Sequence, residues 1–295
     1  MLAEEAHSVE ISFKSRLKAW AEFAKLRLAV LVVFSAAVSY FMAVETFDLM
    51  RFSMLIIGGF LITGASNGFN QVIEKDLDAL MQRTQNRPIP SGRMSAKEGT
   101  ILSVVMAIIG VTLLWLLNPL TGILGTLALI LYVVFYTPLK RISPIAVLVG
   151  AFPGAIPAML GYIAESGKFG LVPGLLFLIQ FIWQFPHFWA IAWKLDKDYK
   201  KAGFKMLPSA GGQNKTSALI NLAYTVAIIP VGLAPYAFGV TGWISAVIVT
   251  IMGVWFTYKS YILYRKCDSE AATKLMFASF VYLPIVQLAL LFDKI

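Results

Sequence analysis

Cysteine and histidine are almost absent from this chain, and charge is scarce. Cys267 is the one cysteine among 295 residues, so neither a disulfide nor a thiolate metal site can form within a single chain. Two histidines, His7 and His187, are too few for a multi-histidine metal site or a pair of axial ligands. The same scarcity removes Ser-His-Asp and Cys-His nucleophile arrangements, and neither a Walker phosphate loop nor a dinucleotide glycine fingerprint occurs. The acidic residues Glu4, Glu5, Glu10 and Glu22 are wrong for a mitochondrial transit peptide. The first apolar run lacks a small-residue cleavage site, which predicts that it is retained as a membrane helix.

Apolar residues dominate instead. They make up 58% of the chain, charged residues 14%, and the mean hydropathy is +0.74. A helix crosses the hydrocarbon core with about 20 such residues. Nine candidate spans follow, at 28–44, 53–73, 99–117, 119–137, 143–163, 169–193, 217–239, 240–262 and 275–292. The expected fold is all-α, a polytopic bundle of nine transmembrane helices. Residues 1–27 form an N-terminal cytoplasmic segment, and 28–292 a single transmembrane domain.

The net charge of +9 is explained by topology, not by nucleic acid. Lys and Arg concentrate in 1–27, 74–98, 138–142, 194–216 and 263–274, which lie on one side of a nine-span chain. Arg51, Lys168 and Lys294 alone fall on the other. The positive-inside rule then puts the N-terminus in the cytoplasm and the C-terminus outside. A bacterial cytoplasmic membrane is the simplest location.

Two inside connections are long and charged, 74–98 and 194–216, and both begin with carboxylates near the end of a span. They lie four spans apart, which hints at a duplicated four-helix unit. Ser95 and Glu98 predict a capping box that opens the third span, and Thr137-Pro138 predicts the end of the fourth. Pro153, Pro157, Pro173, Pro186, Pro230, Pro235 and Pro284 lie inside spans. They either kink helices around a central cavity or are simply tolerated there.

Asn70, Glu74 and Asp78 are four apart and stack on one face of a helix. Arg83 and Arg87 follow. Oxygen ligands beside arginines suit a hard cation and the polyanion it carries, here a metal-bound diphosphate with a lipid tail. A single acid of this kind would mark only where a helix leaves the lipid. Asp76 lies about 200° round from Glu74, as a solvated acid or as a further ligand. The second stretch, with Asp196, Asp198 and Tyr199, reads alone as a solvated loop. Paired with the first across a cavity, it supplies a second Mg²⁺ site. Tyr136, Lys140 and Arg141 close the fourth span, as topology signals or as phosphate contacts. Gln180, Gln184 and His187 share one face of the sixth span among aromatic rings. Those rings are an interfacial belt or the wall of a pocket for a large flat acceptor.

The chain resembles the UbiA superfamily of intramembrane prenyltransferases, most closely its haem-farnesylating members. Asn70 to Arg93, with Asp76-Leu77-Asp78, Arg83-Thr84 and Arg87-Pro88, is similar to the family's first Asp-rich motif. Tyr136-Thr-Pro-Leu-Lys140-Arg141 is similar to its tyrosine–lysine motif. Gln184-Phe-Pro-His187 and Lys197-Asp198-Tyr199 through Pro208 are similar to the second motif of the haem subgroup. Glu74 stands where the family usually has aspartate, and Asp196 and Asp198 replace a pair of aspartates four apart.

The resemblance implies a helical bundle around a central cavity and transfer of farnesyl from farnesyl diphosphate to a vinyl group of haem B. It implies Mg²⁺ on Asn70, Glu74, Asp78, Asp196 and Asp198. Asn70, Glu74, Asp78, Lys140 and Asp198 then do the chemistry. Arg83, Arg87, Tyr136, Arg141, Gln184, His187 and Tyr199 touch the substrates, with His187 contacting the haem iron or a propionate, or only a neighbouring helix. A haem A synthase or terminal-oxidase assembly partner is implied as well. The alternatives are a related prenyltransferase acting on an aromatic quinone precursor and, from another class, a membrane transporter.

Overall fold

The computed structural model describes residues 13–209 and 211–295, with side chains from residue 15 onward. His7, Glu4, Glu5 and Glu10 lie outside the described residues, as does the first part of the 1–27 segment. The rest of that segment holds a short helix, α1 (Phe13–Phe23). Thereafter come α2 (Leu26–Ala43), α3 (Leu49–Ile73), α4 (Lys75–Leu80), α5 (Ala96–Leu117) and α6 (Pro119–Ile130). A π-helical turn (Leu131–Tyr136) joins α6 to α7 (Thr137–Ile142). The remainder is α8 (Ile145–Ser166), α9 (Leu171–Lys194), α10 (Asp196–Lys201), α11 (Lys215–Ala237), α12 (Trp243–Lys266) and α13 (Ser269–Phe292).

Nine of the described segments are long and apolar enough to cross a membrane, as the hydropathy pattern predicts. The chain is a multi-pass membrane protein. Ile108, Leu116, Ile251 and Phe277 are more than half exposed, so apolar side chains face outward. That pattern is stable only where the surroundings are lipid.

Local chemistry sets the helix ends. Asp48, Asn118, Asn214 and Asp268 each accept backbone N–H bonds from the first turn that follows, which satisfies donors the helix cannot pair itself. Ser95 Oγ accepts from Glu98 N at 3.0 Å, half of the expected capping box. The other half is diverted, because the Glu98 carboxylate takes Trp20 Nε1 at 2.9 Å and ties α1 to α5.

Span four corrects the sequence reading. Thr137-Pro138 does not end it; the span runs on to Ile142. Proline has no N–H and crowds the carbonyl four residues back. The wider π turn absorbs this misfit, with Thr137 N–H bonded to the Tyr132 carbonyl five residues earlier. Pro173 is also not a kink, since it lies in the first turn of α9, where no intrahelical partner is required. Pro153, Pro157 and Pro284 are inside helices and line one cavity between α2, α3, α8, α9 and α13.

The two long connections share one design. At the end of α3 the backbone breaks at Glu74 (φ −96°, ψ 12°), and at the end of α9 it breaks at Leu195 (φ −101°, ψ 11°). Each break leads into a six-residue helix with two acids in its first turn: Asp76 and Asp78, or Asp196 and Asp198. This repetition fits the duplicated unit suggested by the spacing.

Close helix contact depends on small residues. A Cβ on Gly161 would lie 1.8 Å from the Ala36 carbonyl oxygen and 2.3 Å from Ser39 Oγ, whereas one on Gly174 meets nothing within 4 Å. Gly161→Ala should therefore separate α2 from α8 at a cost of about 1–3 kcal/mol. A clear fall in thermal midpoint of the solubilised protein is expected, with Gly174→Ala as the unchanged control. Equal midpoints would refute this packing.

Candidate active site

The breaks at Glu74 and Leu195 bring the polar side chains of the two connections together. Asn70, Glu74 and Asp78 do not share one continuous helix, as the spacing alone predicts. Their register survives the bend, however, because Glu74 N–H bonds to the Asn70 carbonyl (2.9 Å) and Asp78 N–H to the Glu74 carbonyl (2.8 Å). All three are buried, and Asp78 is 0% exposed.

Each buried carboxylate has a cation. Lys140 Nζ lies 2.7 Å from Glu74 Oε1, and Arg87 Nη1 lies 2.6 Å from Asp78 Oδ2. Asp78 Oδ1 is buried with no hydrogen-bond partner among the described residues. Asn70 donates through Nδ2 to Thr137 Oγ1 at 3.4 Å, which leaves its own oxygen free of that bond. Asp76 is exposed, which answers to the solvated alternative.

Lys140 and Arg141 separate although adjacent in sequence. Lys140 is buried, 4.9 Å from the centre of the Tyr136 ring, while Arg141 is exposed and is not brought into the cluster. Helical geometry puts consecutive residues about 100° apart, so α7 can aim only one inward. Arg83 is exposed and its guanidinium has no ion-pair partner among the described residues.

Lys25 joins the cluster, and sequence reasoning missed it as anything but a topology charge. Its backbone is left-handed (φ 49°, ψ 55°), and Nζ donates to Asn67 Oδ1 at 3.1 Å. Burial pushes its pKa well below the usual lysine value, and the nearby charges of Arg87, Lys140 and Arg83 push it the same way. Four cations thus converge around the two carboxylates Glu74 and Asp78. Such a surplus of positive charge in a half-buried site favours a bound anion. The missed signal was Asn67 one turn before Asn70, together with a lysine at the foot of the first span.

The second acidic stretch meets the first. Asp198 accepts backbone N–H bonds from Arg83 (3.1 Å) and Gln82 (3.3 Å), and lies 3.4 Å from Lys201 Nζ. Burial works to raise its pKa, but those two N–H groups and the Lys201 charge outweigh it and hold the carboxyl below the usual range. Both of its oxygens are therefore engaged in clasping the first connection. Asp196 is buried against Lys200 Nζ at 2.6 Å. Among the described residues, no three acidic, histidine or cysteine side chains gather at one point, so Asp196 and Asp198 are not assembled with Asp78 into a ready-made cage. Tyr199 sits beside them, its phenol pKa raised by burial within the field of Arg83, Arg87 and Glu74. A backbone bond from Lys205 N to the Lys140 carbonyl (2.7 Å) fastens the same loop to α7.

The cavity beyond this cluster is mostly apolar. Tyr132 and Tyr136, brought together by the π turn with ring centres 5.1 Å apart, line it with Asn67, Gln184 and His187. Tyr132 is a second residue the sequence reading did not single out. Gln184 Nε2 donates to the Ala151 carbonyl (3.1 Å), and Gln180 Oε1 accepts from Gln287 Nε2 (3.1 Å). His187 Nδ1 lies 2.7 Å from Ser279 Oγ, and its ring is stacked on Trp183 at 4.6 Å and 16°. A cluster of cations next to an apolar cavity is suited to a substrate with a charged head and a hydrocarbon tail.

Comparison with known proteins agrees. The UbiA prenyltransferase family model matches residues 31–282. The protoheme IX farnesyltransferase of Christiangramia forsetii is 47% identical over 98% of this chain and 96% of its own length. That of Cytophaga hutchinsonii is 46% identical over 95% and 99%. Among solved structures, a digeranylgeranylglyceryl phosphate synthase superposes with a TM-score of 0.79 at 18% identity, covering 94% of this chain and 98% of that one. A UbiA homolog from Archaeoglobus fulgidus bound to DMAPP and Mg²⁺ gives 0.72 at 13% identity, covering 92% and 98%. Matched along most of its length in both sequence and fold, the chain belongs to the UbiA prenyltransferase family.

Proposed function

We propose that this protein transfers the farnesyl group of farnesyl diphosphate to a vinyl group of haem B, giving haem O and diphosphate. The observation that carries this reading is the buried pairing of Glu74 with Lys140 and Asp78 with Arg87, with Lys140 against Tyr136, which lines an apolar cavity together with His187. The near full-length identity to proteins named protoheme IX farnesyltransferase supports haem as acceptor over an aromatic quinone precursor. Membership of a prenyltransferase family leaves the transporter alternative without support. The arginines and lysines around the two long connections support a cytoplasmic placement of that end, in a bacterial inner membrane with the N-terminus inside.

Mg²⁺ fits the site on the chemistry of its donors. Magnesium takes oxygen ligands, and it is commonly held by one or two carboxylates with substrate phosphates completing the shell. Asp78 Oδ1, buried and unpartnered, is a donor of this kind, with Glu74 and Asn70 one and two backbone turns before it. Mg²⁺, when bound there, neutralises charge on the departing diphosphate. The chain's own cations do the rest of the binding. Lys25, Arg83, Arg87 and Lys140 donate charge-assisted hydrogen bonds to the diphosphate oxygens, and these strengthen as negative charge grows on the leaving group. The Tyr132 and Tyr136 faces can stabilise the allylic cation, and the apolar walls keep bulk water from it. The vinyl carbon then forms the new C–C bond. Water adds its hydroxyl to the resulting cation and releases a proton.

The direct test incubates purified protein with haem B, farnesyl diphosphate and Mg²⁺ and identifies the pigment by mass. Haem O is expected; a chelator should abolish it and added Mg²⁺ restore it. A prenylated quinone precursor with haem unchanged would reverse the choice of acceptor. Asp78→Asn should lower turnover by about 10²- to 10³-fold with the protein still folded, and near-normal turnover would discard this carboxylate as a participant. Lys25→Met should weaken farnesyl diphosphate binding by about 10-fold or more. Because the lowered pKa of Lys25 makes its charge vanish as pH rises, wild-type affinity should fall on the alkaline side and Lys25→Arg should flatten that fall. Identical pH profiles for wild type and Lys25→Arg would remove Lys25 from the anion site.

A further inference from the structure

We infer that His187 Nε2 is an axial ligand to the iron of the haem acceptor, with Ser279 fixing the imidazole tautomer that makes this ligation available. The inference rests on the reading of haem as acceptor and deepens it.

Counting protons leads there. Ser279 Oγ has two close partners, the Met276 carbonyl oxygen at 2.6 Å and His187 Nδ1 at 2.7 Å. A carbonyl can only accept, and a hydroxyl has one proton to give. That proton must lie toward Met276, since two bare oxygens at 2.6 Å would repel. Ser279 Oγ is then an acceptor toward His187, and the imidazole N–H is on Nδ1. No carboxylate pairs with the ring among the described residues; its neighbours are Trp183, stacked at 4.6 Å, and Phe280, edge-on at 5.0 Å. The neutral imidazole therefore carries a lone pair, and no proton, at Nε2.

The consequence separates two kinds of acceptor contact. A haem propionate needs a hydrogen-bond donor, which Nε2 in this tautomer is not. A haem iron needs a lone pair, which Nε2 offers. Nε2 makes no hydrogen bond within the described residues, and His187 lines the apolar cavity. The ring is also held in orientation. Trp183, on which it stacks, donates its Nε1 to the Ser279 carbonyl at 3.1 Å, so Ser279 anchors both the imidazole and the indole. An N–H on the distal nitrogen held by a fixed acceptor is the usual outer support of a metal-binding histidine. Ligation would fix the porphyrin in the cavity through its metal and leave its vinyl edge free to meet the farnesyl group.

The test is spectroscopic and does not depend on turnover. Detergent-purified protein is titrated with ferric protohaem and, in parallel, with metal-free protoporphyrin IX. Wild type should give absorption and paramagnetic resonance spectra of nitrogen-ligated haem. His187→Gly should lose that signature and bind ferric haem about 10- to 100-fold more weakly, with external imidazole restoring the spectrum. Its affinity for metal-free protoporphyrin should match wild type. Ser279→Ala should keep the signature while binding haem more weakly. Wild-type haem without a nitrogen-ligand signature, or a His187→Gly spectrum equal to wild type, overturns the inference while leaving haem as acceptor. Wild type that binds neither porphyrin overturns both. Should His187→Gly not fold, the wild-type spectrum still decides.

Discussion

The site depends on taking two carboxylates out of water without leaving them unpaired. Glu74 and Asp78 are buried at the end of a membrane helix, where an isolated charge is costly. Lys140 and Arg87 make that burial tolerable. Each cation comes from a different part of the chain, so satisfying the two acids also fixes where α7 and the 81–95 segment must lie relative to α3. A buried pair of this kind gives little net stability. What it supplies is position. It holds two cationic donors in fixed places beside the two acids.

Much of the architecture was legible because membrane segments are written in a simple code. Length and hydropathy are enough to locate a span. The meeting of the two acidic connections was legible from their shared position at span ends. The geometry within them was not. That the Asp198 oxygens accept from the backbone N–H groups of Gln82 and Arg83 was not legible, because main-chain donors leave no trace in residue identity. The π turn at Leu131–Tyr136 was equally invisible. Hydropathy does not distinguish a five-residue hydrogen-bond step from a four-residue one, so Pro138 looked like an end when it is an interior residue. Lys25 was hidden by its resemblance to every other basic residue flanking a span. Only a left-handed backbone and the company of Asn67 set it apart.

The π turn has a further effect on the cavity. Two tyrosines four residues apart on an ordinary helix already lean the same way. The widened turn seats their rings side by side, between the cation cluster and the chamber that holds Gln184 and His187. The charged cluster and the apolar cavity therefore share a wall of aromatic faces, suited to an electron-poor carbon.

Asp198 recognises its neighbour through peptide groups alone. This contact between the two connections therefore does not depend on which side chains stand at positions 82 and 83. Gln82 can therefore change while this bond stays, whereas Arg83 is also held by its charge. Proline is the exception, because it has no amide hydrogen to offer; at position 82 it would remove one of the two bonds without altering a single charge.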